Sequence, residues 1–93
     1  MSAITLVNSD TTLDFGWETY LIDATNNNIT LTAPLINNDG DYFYSVRIDA
    51  SANTVTLQGT AGQLINGQNS VTYSAKQNIN IISFQNNWYI FSS

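Results

Sequence analysis

Asp39 and Asp41 stand two residues apart, which puts both carboxylates on one side of an extended chain. Asp10 and Asp14 form a second close pair near the start. Paired carboxylates are the equipment of glycoside hydrolysis. The rest of the catalytic repertoire is thin. The chain has no histidine and no cysteine, so Ser–His nucleophile systems, histidine metal sites, thiolate chemistry and disulfides are all excluded. Seven scattered acids in 93 residues do not imply a deep cleft, and a small domain rarely spares the concave volume that catalysis needs. The expectation is a protein that is not an enzyme and carries no cofactor.

The run NNDGD (37–41) resembles a calcium loop, but the spacing fails. An EF-hand needs oxygen ligands at its first, third and fifth positions and glycine at the sixth. Here Gly40 comes fourth and no glutamate follows. A hairpin turn with Asp39–Gly40 at its tip is the simpler reading. Trp17, Tyr20, Tyr42 and Tyr44 are candidates for an aromatic platform under a sugar, with core packing as the competing role. Arg47 is expected on an outer face, solvated or paired with Asp23, Asp49 or an acid of a neighbouring subunit.

Lys76 and Arg47 are the only cations against a formal net charge of −5. That excludes a nucleic-acid partner, which needs clustered basic residues against phosphate, and it disfavours anionic membranes. No run approaches 18 apolar residues, so no membrane insertion is expected, and MSAITLVNSD lacks the basic and apolar regions of a signal peptide. Charged residues make up 10% of the chain and hydrophobic ones 43%, so the polar surface is built from Asn, Thr and Ser and the chain is not of the disordered type. From size scaling, folding a chain this long to about 5,400 Å² of surface buries roughly 64% of what it exposes unfolded. Association would raise that fraction.

The elements that must position these residues are strands. No window shows helical periodicity, and Thr, Val, Ile, Tyr, Phe and Trp run in short stretches broken by Asn, Asp, Gly and Ser. Strands are predicted over 4–8, 18–23, 28–32, 42–49, 54–58, 70–74, 78–84 and 88–92, all in one domain spanning 1–93. Alternation places Ile29, Leu31, Val55, Leu57, Val71, Tyr73, Ile79, Ile81, Trp88 and Ile90 inside. It also places Tyr44, Val46 and Ile48 inside, with Phe43, Ser45 and Arg47 outside. One-sided strands in this number predict an all-β, antiparallel β-sandwich of jelly-roll-like type. The last two strands are apolar on both faces. Ile82, Phe84, Tyr89 and Phe91 alternate with core residues, and with no helices to cover them the expected cover is another copy of the chain.

The order of segments is also familiar. NNNITLTAP (26–34), NNDGDYFYSVRID (37–49), SANTVTLQG (51–59), GQLINGQNSVTY (62–73) and SFQNNWYIFSS (83–93) resemble, in series, a small all-β domain of phage tail fibres and other viral fibre or spike proteins. That domain has a proline directly after the Leu of "ITL", where this chain has Thr32 and Ala33 before Pro34, and a glycine before the final Trp, where this chain has Asn86 and Asn87. The resemblance implies a homotrimer on a fibre axis at the virion surface, attaching to a host-surface receptor of glycan type. The alternative is a structural trimerisation or capsid-decoration module with no external ligand. No binding residue carries over from the family. The turn residues Asn26, Asn27, Asn38, Asp39, Asp41, Asn66 and Gln68 are the candidate receptor contacts, because rigid scaffolds place binding groups on such loops.

Overall fold

A computed structural model describes residues 4–14 and 19–93. Among these residues there are nine strands and no helix. They are β1 (Ile4–Val7), β2 (Thr11–Thr12), β3 (Thr19–Ile22), β4 (Ile29–Thr32), β5 (Tyr42–Arg47), β6 (Val55–Gln58), β7 (Ser70–Tyr73), β8 (Asn80–Phe84) and β9 (Asn87–Ser92). They form two sheets, one ordered β1-β3-β5-β8-β9 and the other β2-β4-β6-β7.

The all-β, two-sheet expectation holds, but the sheets are mixed rather than antiparallel and jelly-roll-like. From β1 to β6 the chain alternates between the two sheets, so strands adjacent in sequence face each other across the core. Strands β1, β3 and β5 therefore pair in parallel, and so do β2, β4 and β6. A parallel pair needs a long crossover, and here each crossover is a strand of the opposite sheet. Only the last third folds back: β7 runs antiparallel to β6, β8 to β5 and β9 to β8. A turn-rich link between two amphipathic strands looks the same in sequence whether it closes a hairpin or crosses between sheets. The 37–41 segment shows this. It is a turn, with Gly40 at φ +87°, but it joins β4 to β5 in different sheets and closes no hairpin.

The core lies between the sheets. Ile29, Leu31, Val55, Leu57, Ile79, Ile81, Tyr73 and Trp88 are buried as expected, with Val71 and Ile90 packed against them. Strand β5 is inverted relative to expectation. Phe43, Ser45 and Arg47 are buried, whereas Tyr44 and Ile48 are each 41% exposed and Val46 is half-buried. Phe43 stands edge-on to Tyr20 and Trp88, with ring centroids 6.1 and 5.4 Å away. The inward polar groups are satisfied. The Ser45 hydroxyl shares a hydrogen bond with the Tyr73 hydroxyl at 2.5 Å and donates to the Ile79 carbonyl, while the Ser45 amide donates to Asn80 Oδ1. Burying hydroxyls costs little once they are bonded, so the less apolar stripe can serve as the inner one.

The whole surface is 5136 Å², close to what size scaling gives for a chain of this length. Apolar groups on the outside are therefore not a consequence of loose packing. Two substitutions test the interior. Leu57→Ala should lower unfolding free energy by about 2–5 kcal/mol. Gly59→Ala should also lower the denaturation midpoint, because a Cβ there would run into the backbone carbonyl of Gln63. Wild-type urea midpoints for both variants would show that this core and this turn are wrongly drawn.

Candidate functional site

Strand direction sorts the loops into two ends. The turns 8–10, 23–28, 48–54 and 74–78 lie at one end, and 33–41, 59–69 and 85–86 lie at the other. Of the candidate contact residues, Asn26 and Asn27 are exposed at the first end, while Asn38, Asp39, Asp41, Asn66 and Gln68 are at the second. The three loops do not form one surface on a single copy.

The second-end group is tied into the fold. The Asp39 carboxylate accepts from the Gln85 amide at 2.9 Å. The Ser83 hydroxyl donates to the Asn38 carbonyl at 2.7 Å and accepts from the Asp41 amide at 3.0 Å, and the Ser83 amide donates to the Asp41 carbonyl. Asn66, in the left-handed region at φ 50° beside Gly67 at φ 78°, opens a two-residue turn between Ile65 and Gln68. Its amide donates to the Trp88 carbonyl, and its Oδ1 accepts from the Ile90 amide at 2.9 Å. The Asp39, Ser83 and Asn66 side chains, with the backbone of Asn38 and Asp41, hold the 37–41 and 64–69 segments against the β8–β9 hairpin. Among the described residues, no three acids come close enough together to hold a metal ion.

The aromatic platform does not assemble. Tyr20 is buried in the core and Trp17 lies outside the described residues, while Tyr42 and Tyr44 are on the outer side of β5 with ring centroids 5.7 Å apart. Arg47 is not on an outer face either. Its side chain is 4% exposed and pairs with Asp49 at 3.1 Å. It also donates to the carbonyls of Tyr73, Ser51 and Asn53. Asp49 in turn accepts from the Ala24 amide at 2.9 Å and the Ser51 hydroxyl at 2.6 Å. The pattern RIDASAN (47–53) is therefore a buried polar lock joining the β3–β4 turn, the β5–β6 turn and β7. The i, i+2 spacing of Arg, Asp, Ser and Asn was its signal in the sequence.

What remains free is the outside of each sheet, and the two outsides differ in kind. On the five-stranded sheet, Ile4 (70% exposed), Leu6 (59%), Tyr44, Ile48, Phe84 (51%), Tyr89 (44%) and Phe91 (49%) face outward, with Ile82 half-buried among them. Register lines them up: Leu6 beside Leu21 beside Val46, and Tyr42 beside Ile82 beside Tyr89. Phe91 reaches Tyr44, with ring centroids 6.0 Å apart. No outward position of these described strands holds a charged residue. The four expected interface residues thus lie on this face. It also takes in Ile4, Leu6, Tyr44 and Ile48, which sequence reasoning left out.

On the four-stranded sheet the outward rows are Thr12, Thr32, Gln58 and Ser70, then Thr30, Thr56 and Thr72. Every one is a short hydroxyl or amide side chain. Compared with protein-family models and with curated proteins, the sequence matches none.

The buried lock generates a pH prediction. The Arg47 guanidinium beside Asp49, helped by bonds from Ser51 and Ala24, holds the Asp49 carboxyl well below its ordinary value of 3.8. A depressed carboxyl favours the folded state above that ordinary value, and the contribution is lost as pH falls below it. Asp49→Asn, which strands Arg47 in the interior, should cost about 3–5 kcal/mol at neutral pH. The variant should also lose less further stability than the wild type between pH 5 and about pH 2. Urea titrations across that range check both. Parallel wild-type and variant curves would remove Asp49 from the acid response.

Proposed function

We propose that the chain is a self-associating head or tip module of a viral fibre, acting as a homotrimer that attaches to a host-surface receptor of glycan type. The observation that carries this is the apolar, charge-free outer face of the five-stranded sheet. Half exposed, each of Phe84, Tyr89 and Phe91 leaves roughly 75–125 Å² to bury. At about 25 cal/mol per Å² that contributes about 2–3 kcal/mol each, before the cost of association. Monomers rarely leave a contiguous patch of this kind in water. Three copies around an axis would cover it, in keeping with the fibre-domain resemblance of 26–93. The loop ends and the hydroxyl-bearing sheet then remain outside.

A second reading is favoured by one observation. Two of the seven candidate contact residues, Asp39 and Asn66, turn their side chains back onto the fold. A trimer that only registers a fibre and binds nothing would need no more than this. Asn26 and Asn27, exposed at the first end, are the residues best placed for attachment in the first reading.

Two measurements bear on the proposal. The wild-type melting temperature should rise with protein concentration, as it does when association stabilises the fold. Phe84→Asp should remove that dependence, and Thr56→Asp, on the other sheet, should not. A melting temperature independent of concentration in the wild type contradicts assembly. In a glycan array the wild-type oligomer should bind, and exchanging 23–28 for a neutral turn should weaken binding. Silence across the array and on host cells would leave the registering role.

A further inference from the structure

Strand β9 is the last of the five-stranded sheet, so its outer edge would ordinarily present unpaired amides and carbonyls. Residues 87–92, NWYIFS, hold no charge and no proline, and Tyr89 and Phe91 stand half exposed beside that edge. An uncharged aromatic edge of this kind is a template for another strand. Here it is filled from within the chain. The 64–66 segment runs parallel to β9, with Ile65 bridged to Trp88. The Trp88 amide donates to the Leu64 carbonyl at 2.8 Å, and the Asn66 amide donates to the Trp88 carbonyl at 2.9 Å. In a parallel ladder the next rung would run from the Ile90 amide to the carbonyl of residue 66. The chain leaves before that rung, turning through left-handed Asn66 and Gly67 at φ 50° and 78°. The Asn66 side chain supplies the rung instead, its Oδ1 accepting from the Ile90 amide at 2.9 Å.

An asparagine carboxamide has the geometry of a peptide group, so it can stand in for one where a strand ends. Past Ile90 the β8–β9 pairing shifts register opposite Asn80 and Ile81, and such an irregularity itself makes a poor template. The part of the edge regular enough to accept a strand thus ends at Ile90, and Asn66 takes its last amide. We propose that Asn66 closes the β9 edge, so that further copies of this chain meet the five-stranded sheet through its apolar outer face and not strand to strand. The proposal deepens the self-association reading and rests on it for the partner, a second copy. Contacts through a face can close into a finite ring. Edge pairing between particles that each offer several edges keeps adding particles. One side chain therefore separates a finite assembly from a growing one.

Asn66→Gly tests this, because glycine keeps the left-handed turn and removes only the acceptor. The folded variant should lose hydrogen-exchange protection at the Ile90 amide. Incubated at micromolar concentration, it should also sediment above the wild-type mass. Asn66→Ser, too short to reach Ile90, should do the same and covers the case in which Asn66→Gly does not fold. Asn66→Asp, which keeps an oxygen at that place, should stay at the wild-type mass. So should Gln77→Ala, which takes a comparable acceptor from the Ser74 amide in the β7–β8 turn. A folded Asn66→Gly or Asn66→Ser that keeps the wild-type mass overturns the proposal. Equal growth of Gln77→Ala overturns it too, since loosened folding would then be the cause. So does rapid exchange at the Ile90 amide of the wild type. The trimer is judged separately: a wild type at 10.3 kDa removes it, while an Asn66→Gly chain that doubles from that mass upholds the closed edge.

Discussion

Strand β5 can bury only one of its two faces, and the rest of the structure follows from which one it buries. Side chains alternate along a strand, so Phe43, Ser45 and Arg47 inside mean Tyr42, Tyr44, Val46 and Ile48 outside. The inner choice is held at both ends. At one end Phe43 packs against Trp88 and Tyr20. At the other Arg47 is caught by Asp49 and by three backbone carbonyls. Slipping the strand by one residue would bury Tyr42, Tyr44, Val46 and Ile48 instead. It would also free the guanidinium, strip Asp49 of its partner and undo the turns that Asp49, Ser51 and Asn53 hold together. Breaking a buried ion pair on one side is among the more costly single events in a small domain.

The outward stripe of β5 then completes a surface that two other parts of the chain had begun. Ile4 and Leu6 on β1 flank it on one side, and Ile82, Phe84 and Tyr89 on the other. In a solitary molecule the arrangement is unfavourable, since the more apolar stripe faces water. In an assembly it is not, because both faces of β5 are then dry. The four-stranded sheet has no such conflict. Its inner face is Leu, Val and Ile and its outer face is Thr, Ser and Gln, which is the ordinary signature of a sheet wet on one side.

That contrast explains what could be read from residues alone. Ile29 and Leu31, or Val55 and Leu57, were legible because threonines alternate with them. The 42–49 run was misread because alternation identifies two stripes but not which is inside, and the more apolar stripe was the natural guess. Parallel pairing was hidden for another reason. Thr19 lies 15 residues after its partner Ile4, whereas Tyr44 lies 25 after Thr19, so the coil leaves no fixed period to detect. The last strands were legible as two-sided, and that placed Ile82, Phe84, Tyr89 and Phe91 correctly on the outer side. The loop candidates were chosen for being polar and turn-forming. Those same properties let Asp39 and Asn66 bond back to the β8–β9 hairpin, a use that composition cannot distinguish from display.

Sedimentation equilibrium of the wild-type protein at micromolar concentration addresses the central claim most directly, because it weighs the particle without assuming its shape. If the apolar face of the five-stranded sheet is covered by copies of the chain, the mass will be three times 10.3 kDa. A well-behaved species at 10.3 kDa would contradict the account, and Tyr44, Phe84 and Phe91 would then stand in water in the native protein.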